Sequence, residues 1–175
     1  ETDLMLCHLH LPGDTALSQD PYTSYREMMP SGTEKLISAP HANGKDIWVI
    51  MHPWESNEYH AYLVTDQGIA AKPVISTVGV HHGGERGNAT GYLKASPCGN
   101  YVASCIRDMK LLELFSFDNS TGKMGELLVQ NGNFFGYGLE FSPDGSKLYA
   151  SVSNPVSTHE GGGVIPVSYT HLRAH

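Results

Sequence analysis

Histidine is the residue type with the most chemistry to offer in this sequence: ten occur in 175 residues, and each can ligate a metal or carry a proton near neutral pH. His8 and His10 are two apart, which places both rings on one face of an extended strand. His81 and His82 stand beside Gly83 and Gly84 in a stretch that reads as a flexible loop. Both pairs have geometry compatible with a metal, but neither has a third Cys, Asp or His at ligand spacing, so both read as structural or solvated and no metal is expected. His41, His52 and His60 fall at strand ends or turns of one segment and are candidate ligand contacts, with a hydrogen bond that supports the Asn43-Gly44 turn or a neighbouring blade as the competing role. Trp54, in His52-Pro53-Trp54-Glu55, is a loop aromatic open to a partner, whereas Trp48 sits in core register. Glu140 precedes Phe141 on a strand and is a further contact candidate, although one carboxylate specifies no reaction. Glu113 and Asp118 fall on strand and turn positions expected to be solvated. No Ser/His/Asp set, Gly-x-Ser-x-Gly elbow, phosphate loop or paired carboxylate can be placed, so no catalytic residue and no cofactor is expected.

The elements that would position these residues are organised around residues 137–152. Leu139 and Phe141 alternate with small or polar neighbours, Ser142-Pro143-Asp144-Gly145 turns the chain, and Leu148, Ala150 and Val152 alternate on the return. Pro143 presets the first corner, Asp144 tolerates the second, and Gly145 supplies the positive φ. Placing Gly145 over Gly99 and Gly44 brings apolar residues into register: Leu148, Val102 and Ile47 three residues on, and Val152, Ile106 and Met51 seven on. The glycines are 55 and 46 residues apart. A period of roughly 40 to 50 residues with several short strands per unit marks a β-propeller blade.

Within that period the strands are expected at about 35–40, 46–51, 59–65 and 73–80 in one unit, and at 91–96, 101–106, 111–118 and 125–130 in the next. The expectation is an all-β chain, a β-propeller fragment of four-stranded antiparallel blades: remnants over 1–33, complete blades over 34–80 and 91–131, and a partial blade over 136–153. The partial blade has two strands before Asn154-Pro155 and Gly161-Gly162-Gly163 dissolve the pattern. An open arc leaves inter-blade faces uncovered, so missing blades of the same propeller are expected as partners.

Composition narrows the class. Hydrophobic residues at 40% and charged ones at 17% describe a folding domain. A net charge of −7 without a basic stripe argues against nucleic acid as a partner, and no apolar run reaches the roughly 18 residues that cross a bilayer. The three cysteines, Cys7, Cys98 and Cys105, form no Cys-x-x-Cys pair. Cys105 reads as a small core residue. A start at Glu1 within strand-like sequence reads as a fragment, and residues 166–175 resemble translated sequencing-adapter DNA, a tail to be set aside from the fold.

The segments His41-Ala42-Asn43-Gly44-Lys45-Asp46-Ile47-Trp48-Val49, Ala61-Tyr62-Leu63, Gly91-Tyr92-Leu93-Lys94, Leu114-Phe115-Ser116-Phe117-Asp118 and Tyr137 to Gly145 resemble the propellers of large secreted bacterial proteins of the gliding-motility and type IX secretion group. The likeness spans residues 34–153. The Ser-Pro-Asp-Gly turn alone is shared with WD40-like and lactonase-like propellers. Cys98 departs from the Asp or Asn usual before the turn glycine. The resemblance implies a secreted or cell-surface module, non-enzymatic, that presents loops to a protein or glycan. The alternative is a hydrolase or lactonase-like enzyme whose central-channel site uses residues such as His41 and Glu140 and is completed by missing blades.

Overall fold

The computed structural model describes residues 4–6, 26–132, 135–153 and 163–167. Every regular element among them is a strand, apart from one short 3-10 turn at Arg86–Ala89. Strands β1 (Leu4–Leu6) and β2 (Arg26–Met29) form an antiparallel pair. The first large sheet contains β3 (Gly32–Pro40), β4 (Ile47–Pro53) and β5 (Ser56–Thr65), with the two-residue β6 (Gly68–Ile69) and the long β7 (Val74–His82) both pairing on β5. The second runs β8 (Leu93–Ala95), β9 (Tyr101–Ile106), β10 (Leu111–Asp118) and β11 (Lys123–Gly132). The third contains β12 (Phe135–Phe141), β13 (Leu148–Ser153) and β14 (Gly163–Val167). All pairings are antiparallel, the meander expected of propeller blades.

Three hairpins of one register produce the repeat. Gly44, Gly99 and Gly145 have φ of 70°, 71° and 67°, where a side chain would be strained. Their N–H groups donate to the carbonyls of His41, Ser96 and Ser142 at 3.0, 2.9 and 2.8 Å. In each hairpin the residue four before the glycine pairs with the residue three after it: Pro40 with Ile47, Ala95 with Val102, Phe141 with Leu148.

The apolar cores lie between sheets. Trp48, Ile50, Tyr59 and Ala61 of the first sheet meet Leu93, Val102, Phe115 and Phe117 of the second, and Ala103, Cys105, Leu112 and Leu114 of the second meet Leu139, Phe141, Leu148 and Val167 of the third. Cys105 and Trp48 are core residues as expected, 0% and 4% exposed. Val102 and Leu148 are fully buried because the residue three after the glycine points back at the preceding sheet. Ile47 departs from that pattern at 41% exposure. Among the described residues its side faces β2, whose Met28 and Met29 cover Met51 and Tyr62.

Two expectations need correction. The glycine run ending at Gly163 does not end the third unit: β14 pairs along β13, with Val167 opposite Leu148 and Pro166 opposite Tyr149. Val167 is 5% exposed, so at least two residues of the segment set aside as a tail belong to the fold. Glycine opens this strand, and Pro166 is tolerated because β14 is an edge strand that can lack a ladder N–H. The second correction concerns His82, which is not in a flexible loop. Strand β7 runs through it, pairing Ser56 with His82.

Candidate functional site

The five contact candidates from sequence have separate partners. His41 accepts the Asn43 N–H on Nδ1 at 3.0 Å, and its ring lies 5.6 Å from that of Trp48. It therefore supports its own turn. His60 Nε2 is 2.9 Å from Glu58 Oε2. Trp54, half-buried in the turn after β4, donates its backbone N–H to the Ser31 carbonyl at 3.2 Å. Glu140 is exposed and accepts from Lys94 Nζ at 2.8 Å. His52 alone enters a polar cluster. No hydrogen bond or ring contact joins any two of the five. His8, His10, His171 and His175 lie outside the described residues.

The polar cluster occupies one end of the joint between the first and second sheets, and strand register explains its composition. Leu36 pairs with Met51 and Met51 with His60. One step toward the strand ends, Lys35, His52 and Tyr59 are therefore neighbours on the opposite face, the one that meets the second sheet. The imidazoles of His52 and His82 stack with centroids 3.8 Å apart and planes 12° from parallel. Tyr59 stands edge-on to His52 at 4.6 Å and reaches Phe115 of the second sheet at 5.5 Å. Lys35, His52, His82, Ser104 and Glu113 are all 0% exposed.

Glu113, expected to be solvated, is thus buried. It alternates with Phe115 and Phe117 along β10 and shares their inward face. Its carboxylate accepts the Val80 N–H at 3.2 Å and the Gln130 amide at 3.0 Å. Gly79, with φ of 75°, makes the space: a Cβ there would sit 2.6 Å from Glu113 Oε2 and 2.7 Å from Phe115 Cζ.

Several buried polar atoms in the cluster have no hydrogen-bond partner: His52 Nε2, both ring nitrogens of His82, and Asn88 Oδ1; the Tyr59 and Ser104 hydroxyls face each other. His52 Nδ1 lies 2.7 Å from the Pro53 carbonyl, which assigns the proton to Nδ1 and leaves Nε2 a bare lone pair. Lys35 Nζ donates to the Thr90 carbonyl at 3.3 Å, and the Asn88 amide to the Gly83 carbonyl at 2.9 Å. Burial holds His52 down to about 3; burial, with His52 and Lys35 close by, holds His82 down to about 2. Burial also lowers Lys35 to about 8 and raises Glu113 and Tyr59. Among the described residues no three His, Cys, Asp or Glu side chains are placed to hold a metal. The cluster is a closed set of neutral imidazoles beside a buried lysine. Substrate chemistry there would require the joint to open.

A second polar surface lies along the first strands of the three sheets. Tyr92, just before β8, and Tyr137 of β12 are 49% and 44% exposed, with ring centroids 5.4 Å apart. The Tyr92 N–H donates to the Tyr137 carbonyl at 2.8 Å, joining the second sheet to the third. Glu34 of β3 accepts the Gly91 N–H, and its carboxylate beside Tyr137 pushes that phenol's pKa up. In a propeller such first strands line the central channel.

No family model matches the chain, and no curated protein matches it in sequence. Solved structures do. A 6-phosphogluconolactonase candidate from Bacteroides fragilis is similar over 73% of this chain and 36% of its own, with 16% identity and a TM-score of 0.53. Kluyveromyces lactis Hsv2 is similar over 75% and 36%, with 17% identity and a TM-score of 0.48. The fold is that of a β-propeller. At these identities the likeness concerns the fold alone, and the chain spans little more than a third of either structure.

Proposed function

We propose that this chain is an arc of a larger β-propeller that acts as a non-enzymatic binding module for a protein or glycan, secreted or on the cell surface, its ring completed by further blades. The observation that carries the reading is the half-exposed Tyr92–Tyr137 pair with Glu34 against it. Two phenol rings contributed by successive blades offer apolar faces for stacking and polar tips for hydrogen bonding, the combination favoured at recognition surfaces. The groups that acid-base chemistry would need are engaged structurally: His41 in its turn, His60 with Glu58, Glu140 with Lys94. The location outside the cell follows the resemblance of the repeat to secreted gliding-motility propellers. Fractionation of source cells tests it.

Binding is tested on a glycan array and by capture of surface proteins. A Tyr92→Ala/Tyr137→Ala double variant should bind at least tenfold more weakly with unchanged near-ultraviolet circular dichroism. Equal binding by the variant would reject the site. Hydrolysis of a sugar δ-lactone faster than in buffer would replace the binding reading with the enzyme alternative.

A further inference from the structure

The stacked histidines at the joint between the first two sheets are fully buried, yet His52 Nε2 and both nitrogens of His82 have no partner. The titratable groups around them come from every packed element: Lys35 and Glu34 from β3, Tyr59 and His60 from β5, His81 from β7, Cys105 from β9 and Glu113 from β10. The carboxylates are engaged elsewhere. Glu113 accepts from Val80 and Gln130, Glu34 from Gly91, and Glu58 pairs with His60. Glu55, in the turn after β4, accepts the Gly84 N–H at 2.9 Å and lies 3.8 Å from His81. A proton arriving on either ring would meet the other imidazole at 3.8 Å and the buried ammonium of Lys35, with no unengaged carboxylate among the described residues to receive it.

We propose that the His52–His82 stack is an acid-sensitive latch on the joint between the first and second blades, closed while both rings are neutral and opened by protonation of either. The charged ring must reach water. Turning His82 outward disturbs the segment 83–91, which is bound to the cluster through the Thr90 carbonyl and Lys35 and is folded on itself by the Asn88 amide and the Gly83 carbonyl. Burial keeps both rings neutral in the closed joint, so protons enter through the open form, whose histidines titrate near the ordinary value of about 6.5. Opening exposes Tyr59 and frees Lys35.

Hydrogen exchange of the chain at pH 7.5 and 5.0, corrected for intrinsic rates, tests the latch. Amides of β5, β7 and β9 should lose at least tenfold protection at the lower pH while the β12–β13 hairpin keeps its own. His82→Phe retains a stacking ring without a titratable nitrogen and should abolish the loss; His52→Phe is the second variant, with protection at pH 7.5 reporting whether each is folded. Equal wild-type protection at both pH values would overturn the proposal, as would an equal loss in the third sheet or an undiminished loss in both folded variants.

Discussion

Gly79 is a residue whose importance depends on its neighbours. It combines φ of 75° with contacts that leave no room for a methyl group, since Glu113 and Phe115 occupy that space. Gly79→Ala should lower stability by about 2–4 kcal/mol in urea titration, combining backbone strain with overpacking. The Tyr59 hydroxyl is buried with Ser104 as its hydrogen-bonding neighbour, so Tyr59→Phe should cost about 0.5–1.5 kcal/mol in the same titration. An unchanged or raised stability would show that the hydroxyl makes no bond worth keeping. Strand parity held part of this signal, since Lys35 alternates with Ile37 and Ala39 and Glu113 with Phe115 and Phe117, but a charged side chain is rarely fully buried, so Glu113 was expected to be solvated. The stacking of His52 on His82 was not legible, because β7 returns the second ring to the first through pairing 26 residues away in sequence, Ser56 to His82.

At the level of the element, one turn is built with three side-chain chemistries. Asp144 accepts the hydroxyls of Ser142 and Ser146 and the Ser146 N–H, and these bonds hold its carboxyl below the usual carboxylate range. Asn43 Oδ1 accepts the N–H groups of Lys45 and Asp46 at 3.0 Å each. In the second hairpin the same place holds Cys98, whose sulfur lies 3.3 Å from Ser96 Oγ, while the Asn100 and Tyr101 N–H groups donate to that hydroxyl instead. Cys98→Asp restores a charged acceptor and should stabilise the chain by about 0.5–1.5 kcal/mol, read as a raised melting temperature that falls back below about pH 4 as the new carboxylate is protonated. An unchanged melting temperature would show that Ser96 already satisfies the turn. The turn is also tied to the first sheet, since the Asn119 side chain donates to the Cys98 carbonyl while the Asn119 carbonyl accepts from Ala42 and from Trp48 Nε1.

For the molecule as a whole, each main core of the described residues is shared by two sheets. Ile50→Ala in the first core and Leu114→Ala in the second should each cost about 2–5 kcal/mol, and both should lower one shared transition in calorimetry. Two separate transitions would show that the blades fold independently. The same arrangement explains why Ile47 is exposed while its counterparts Val102 and Leu148 are buried: the pattern repeats, but the cover is supplied by whatever sheet comes before.

The sequence alone determined the unit of structure. Positive-φ glycines, turn residues and two-residue alternation are local properties of the backbone, so hairpin register and the meander of strands could be read without coordinates. Only the tertiary structure decided which side chains share a joint. Whether Lys35, His52, His82 and Glu113 meet in one buried cluster depends on how one sheet is stacked on the next, and on a return strand bringing His82 back beside His52. Alternation along any single strand contains neither fact.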